Sequence, residues 1–152
     1  MKNNKGFSLV ELIIVIAIMA ILVGVMAPQL IKYIEKSKVS SDTQAADAVH
    51  TAVLTAMMDP EVVNHTGYNS STVVKNSAGM SVASLVRTDV VGSAALEILG
   101  ESTGAAVNKR LKSTNATDIK FAVVGNNKVS VWVSGSDSRG SKSPNGYTVV
   151  IQ

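Results

Sequence analysis

The chain has 152 residues, enough for one modest domain and an anchor but not for two enzymatic domains. Its net charge of +3 and basic pI of about 9.2 raise nucleic acid as a partner, yet Lys2 and Lys5 both precede Gly6 and without them the side-chain balance is +1, too little for a broad DNA footprint. Cysteine is absent, which excludes disulfides, thiolate catalysis and Cys-ligated zinc.

Met1–Gly6 reads as a basic polar leader, and an apolar run follows at once. Phe7–Ala27 is 21 residues, long enough to cross a hydrocarbon core of about 30 Å as a helix. Lys2 and Lys5 predict a cytoplasmic N-terminus with the body of the chain outside. A secretory signal peptide shares this outline, with Val25-Met26-Ala27 as its cleavage site. Against it stand Pro28 just after that bond, the length of the run, and an acid inside it. The acid is Glu11. A carboxylate in hydrocarbon costs about 2.5 to 3.5 kcal/mol on insertion scales, so it marks a functional position whose partner is a nearby cation, unless it reaches to the headgroups from its place near the helix end.

The stretch Lys5-Gly6-Phe7-Ser8-Leu9-Val10-Glu11-Leu12-Ile13-Ile14-Val15-Ile16 resembles the processing and assembly segment of type IV prepilins and pseudopilins. The resemblance covers about the first fifty residues. It implies cleavage after Gly6 by a prepilin peptidase, N-methylation of the new amino terminus at Phe7, and an assembly role for Phe7 and Glu11. Cleavage creates the positive amine that a buried Glu11 otherwise lacks. That amine lies four residues away in its own helix and is also open to pairing with a neighbouring subunit's Glu11, where an unpaired charge would penalise misregister. Gly24 and Pro28 predict a kink or local opening, and the family implies partial unwinding over roughly Ala20 to Pro28.

Beyond Pro28, Ala45, Val49, Ala52, Val53, Ala56 and Met57 recur at spacings of three and four, with Lys36, Lys38, Asp42, Gln44 and Asp47 on the other surface. The helix is predicted to end near Met58, before Asp59-Pro60, and from Phe7 it would span roughly 78 Å. Lys32, Lys36 and Lys38 form a basic belt that reads as a solvated or headgroup-contacting face; in a filament, Asp42 or Asp47 of adjacent subunits could meet it. Asp59-Pro60-Glu61 suits an N-cap with proline at the first helical position. Residues 64–80 read as loop, Ser81–Arg87 and Ser93–Leu99 as short helices, the second stopped by Gly100. Ile119–Val124, Lys128–Ser134 and Gly146–Ile151 read as strands, with a tight turn at Asn126-Asn127 and a polar loop over Gly135–Asn145. The predicted class is α+β: leader 1–6, membrane and filament-core helix 7–30, amphipathic half 31–58, and a head over 59–152 with a C-terminal antiparallel sheet.

No spacing suggests catalysis or a cofactor. His50 and His65 read as structural, and Asp118 and Asp137 as turn residues rather than calcium ligands. Lys109, Arg110 and Lys112, with Lys120 nearby, read as a solvated patch, and Trp132 and Tyr147 as filling the sheet core. Asn64, Asn69 and Asn115 begin glycosylation-type triplets that arise readily by chance in such a composition. The resemblance implies a non-enzymatic subunit of an extracellular type IV pilus serving adhesion, motility or biofilm formation. Its implied partners are further copies of itself, minor pilins, the prepilin peptidase, a platform protein and an assembly ATPase, with the membrane as host before assembly. Two other readings stay open: a major pseudopilin of type II secretion or competence, and a membrane-anchored DNA receptor using Lys109–Lys112. The lack of a C-terminal cysteine pair departs from many Gram-negative pilins, fits a Gram-positive, clostridial source, and leaves that loop's role open.

Overall fold

The computed structural model describes residues 6–114, 116–124 and 128–135. It divides into two compact units, one ending at Lys36 and the other beginning at Ser37. Helix α1, Leu9–Met58, contributes to both and contains Pro28. In the first unit its side chains are exposed almost throughout, from Leu9 to Ile34. That part holds a stretch long and apolar enough to cross a membrane, none of it buried.

In the second unit α1 becomes amphipathic. Ala46, Val49, Ala52, Val53, Ala56 and Met57 are buried, while Ser40, Gln44, Asp47, Thr51 and Thr55 form an exposed ridge at spacings of three and four. The alanines on the buried face let other segments approach the helix axis closely. After Met58 the chain turns extended at Asp59, whose carboxylate accepts from the Glu61 N–H at 2.9 Å and caps the short helix α2, Pro60–Val63.

The described sheet has order β1-β2-β3, all antiparallel: β1 is Met80–Ser81, β2 Ala116–Val124 and β3 Lys128–Gly135. On its inner face Ile119, Phe121 and Val123 stand opposite Val133, Val131 and Val129, and all six are buried. They join the α1 side chains, Val82, Val91, Leu96 and Val107 in one apolar core. Full burial of a side chain the size of Phe121 contributes about 2 to 3 kcal/mol, so this face holds the sheet on the helices. A register shift between Ala116 and Asp118 bulges β2, and there the Thr117 hydroxyl donates to the Ser134 carbonyl.

Several expectations change. Ser81–Arg87 is not a helix: Met80 and Ser81 pair with Phe121 and Lys120, and one 3-10 turn, Val82–Ser84, follows with the Ser81 hydroxyl as its cap. Two residues carry no periodicity, so only their cross-strand partners reveal β1. The segment 64–80 likewise contains a 3-10 turn, Tyr68–Ser70. Helix α3 begins at Val90 rather than Ser93, because Asp89 accepts from the Val91 and Gly92 N–H groups. It ends as expected at Gly100, which adopts a left-handed φ of 69° while the Glu101 N–H bonds the Leu96 carbonyl. Helix α4, Gly104–Asn108, was not foreseen. The predicted strand Gly146–Ile151, the loop beyond Gly135, the Asn126-Asn127 turn, Asp137 and Tyr147 lie outside the described residues.

Candidate functional site

The N-terminal site begins with local capping. Ser8 precedes α1, and its N–H donates to Glu11 Oε2 at 2.8 Å, while the Leu12 N–H bonds the Ser8 carbonyl. Ser8-Leu9-Val10-Glu11 is the S-x-x-E spacing of a capping box, with the acid reaching back over the first turn. The spacing is legible in the sequence, and it gives Glu11 a local capping role beside its search for a cation or the headgroups. Phe7, Leu12, Ile14 and Val15 border Glu11, and the Phe7 side chain is 93% exposed. The exposed aliphatic side chains favour an apolar surround, and a carboxylate set among them at a helix start then favours positive charge beside it. Gly24 and Pro28 both lie within α1, and an added Cβ at Gly24 would meet nothing.

Just beyond the apolar run, Lys32 is exposed and the Lys36 ammonium sits 5.9 Å from the Tyr33 ring centroid. Of the acids expected to face such lysines from a neighbour, Asp42 is excluded. It is 1% exposed and accepts from the Lys112 N–H at 2.7 Å, the Ser113 N–H at 3.0 Å and the Ser113 hydroxyl. The helical period put it on the polar face, but the segment before β2 folds over it and supplies three donors. Asp47, by contrast, is on the exposed ridge.

The other polar candidates are tied into the head. Asp118 accepts from the Ser81 hydroxyl at 2.6 Å and the Asn108 amide at 2.5 Å, so it joins β1, α4 and β2. Among the described residues no three His, Asp or Glu side chains gather as a metal would require. His65 accepts the Gly67 N–H through Nδ1 at 3.0 Å, a local turn contact, and His50 is half-buried on α1. Asp89 was missed altogether. Burial pushes its carboxyl up, but hydrogen bonds from the Gly92 N–H, the Ser71 hydroxyl, and the Thr72 N–H and hydroxyl hold it below the ordinary value of 3.8. The basic cluster is thinner than its sequence suggests, because Arg110 is committed to Glu101 at 2.7 Å and to the Leu99 carbonyl at 2.9 Å. Trp132 does not fill the core. It pairs across strands with Lys120 on the opposite sheet face and lies against Gly79. Asn64 and Asn69 are exposed, but Ser71, the hydroxyl residue of the second triplet, is buried and held by Asp89; Asn115 lies outside the described residues.

The chain combines an exposed, membrane-length aliphatic helix carrying one acid at its start with a small α+β head. Comparison with known proteins identifies the class. Residues 1–27 match the family profile described as the prokaryotic N-terminal methylation motif. Over 118 residues the chain is 30% identical to a fimbrial protein of Pseudomonas aeruginosa, covering 70% of this chain and 75% of that relative. It is 41% identical over 56 residues to the type IV major fimbrial protein FimA of Dichelobacter nodosus, 37% of this chain and 36% of the relative. A fimbrial protein of Moraxella nonliquefaciens is 42% identical over 55 residues, 36% of each chain. No solved structure gives a significant match. The chain belongs to the type IV fimbrial protein, or pilin, family, and is a structural subunit of a pilus.

Proposed function

We propose that this subunit matures by cleavage after Gly6 and N-methylation of Phe7, and polymerises with Glu11 neutralised by the Phe7 amine of its own or a neighbouring copy. The observation that carries this is Glu11 itself, the one acid in the exposed apolar stretch, held at the first turn of α1 one helical turn from Phe7. In the unprocessed chain Glu11 accepts from the neutral Ser8 N–H. A cationic amine offsets the cost of placing the carboxylate in an apolar surround, and where that amine belongs to a neighbour it does so only when subunits are in register.

In this reading residues 1–6 are the leader, 7–30 the membrane and filament-core helix, 31–58 the half that packs on the head, and 59–152 the head. Gly24 and Pro28 supply a point where the core helix bends or opens during packing. Before assembly the chain is a single-pass membrane protein with a cytoplasmic N-terminus; afterwards it is extracellular. Prepilin peptidase, a platform protein, an assembly ATPase and minor pilins act on it as separate chains, and the subunit performs no catalysis of its own. The pilus it builds serves adhesion, motility or biofilm formation.

Mass spectrometry of the chain sheared from cell surfaces tests the reading. An N-methylated Phe7 start in a fibre fraction is expected; an intact Met1 or a start at Pro28 would overturn it. Glu11→Ala is expected to leave a processed, membrane-held subunit with few surface filaments by electron microscopy.

A further inference from the structure

On the second unit an open groove of about 380 Å³ lies beside the exposed ridge of α1. Its floor includes Ala48, Ala52 and Leu99, and its apolar wall is Ile98 of α3, 49% exposed. Asp47 stands at one rim and Arg110 at another. Arg110 is already bonded to Glu101 and the Leu99 carbonyl, so it neither neutralises Asp47 nor presents a free positive charge. Asp47 has no hydrogen bond or ion pair among the described residues, and it is the single charged residue on the ridge from Ser40 to Thr55. The groove therefore offers apolar surface next to one unneutralised carboxylate.

We infer that this groove receives the Leu30–Lys36 segment of a second copy of this chain, with Lys36 of that copy paired to Asp47. The inference rests on the polymer reading and specifies one of its interfaces. Leu30, Ile31 and Ile34 are exposed, Ile31 by 67%, and they lie at the end of the exposed apolar stretch that is long enough to cross a membrane. Lys32 and Lys36 stand among them, and Glu35, half-buried and already engaged, still leaves the segment apolar and net positive where the groove is apolar with negative charge. With Asp42 buried under Ser113, Asp47 is the exposed acid on this ridge that can answer that belt. Burial of Ile98 against an aliphatic side chain supplies the association energy, and the ion pair fixes which residues meet.

Charge reversal tests the contact in the full chain on cells, with sheared filament yield measured against the membrane pool of subunit. Asp47→Lys and Lys36→Glu are each expected to lower filament yield by about tenfold, as one pair turns from attraction to repulsion, and the two together to restore it to within about threefold. A single reversal at wild-type yield, or a double variant no better than the worse single, overturns the inference. A second measurement does not depend on yield. The chain has no cysteine, so Lys36→Cys with Asp47→Cys introduces the only two thiols. They lie eleven residues apart on one helix, too far for a disulfide within a chain, and oxidised filaments are expected to run as a ladder beyond dimers on a non-reducing gel, whereas each single cysteine stops at dimers. Oxidised fibres that yield only monomer and dimer overturn the contact while leaving the polymer reading intact. Absence of the wild-type chain from sheared fibres sinks both.

Discussion

Replacing Asp42 by alanine removes a carboxylate that holds three donors seventy residues away in sequence, and the local geometry sets the cost. The Lys112 N–H, bonded at 2.7 Å, belongs to an exposed residue and can turn to water. The Ser113 hydroxyl can rotate toward another acceptor. The Ser113 N–H, bonded at 3.0 Å in a residue 7% exposed, has no such escape and is left unsatisfied. An orphaned buried donor costs about 1 to 3 kcal/mol, and the lost charge-assisted bonds about 1.5 to 3 kcal/mol more, partly offset because a desolvated charge is also removed. The expected net loss is about 3 kcal/mol, or a fall in Tm of roughly 10 to 15 °C for a head of this size. Asp42→Asn should lose about half as much, since its carbonyl still accepts one N–H while its amide faces the other. Ser113→Ala, which removes the hydroxyl alone, should cost about 1 kcal/mol. The single tryptophan, Trp132, reports unfolding by fluorescence in detergent-solubilised full-length protein. A loss below about 1 kcal/mol for Asp42→Ala, or an asparagine variant less stable than the alanine variant, would refute the assignment of Asp42 as the polar tie between α1 and the segment leading into β2.

Gly104→Ala should prevent the head from folding at physiological temperature, because its Cβ would lie 1.8 Å from the Val82 carbonyl oxygen; a cost on the order of 4 kcal/mol or more should leave little protease-resistant head. Gly79→Ala meets both a φ of +96° and the Trp132 ring at 2.6 Å, so a red-shifted Trp132 emission and a lowered Tm are expected, and an unchanged spectrum would place the ring elsewhere. Asp89 has a folded-state pKa held below its ordinary value, so its contribution to stability is present above about pH 3.8 and is lost as pH falls through the folded pKa. Acid titration of stability should accordingly show a shallower limb below that pH for Asp89→Asn than for wild type, and superimposable limbs would contradict the hydrogen-bond cluster at Ser71 and Thr72.

The elements that sequence revealed are those whose cause is local. A continuous apolar run, a stop before Asp59-Pro60, the αL glycine at Gly100 and the alternating runs of β2 and β3 each carry their reason within a few residues. The head's small pieces do not. A two-residue strand has no period, and α4 has Thr103 as its N-cap without a side-chain cap bond, its Gly104 packed against a carbonyl from twenty-two residues earlier. Trp132 shows the limit of residue type as a guide, because its size suited a core but its parity along β3 placed it on the face opposite Val131 and Val133.

By itself the sequence determined that this chain has a basic N-terminal stretch, a membrane-length helix with one acid at its start, and an amphipathic continuation, since hydropathy, charge position and helical period are properties of neighbouring residues. Only the tertiary structure decided which charges remain available. Asp42 and Asp47 share one helix and one residue type, yet Asp42 is enclosed by Lys112 and Ser113 while Asp47 is left on the ridge. The difference arises from a segment some seventy residues further along, and no local pattern on the helix contains it.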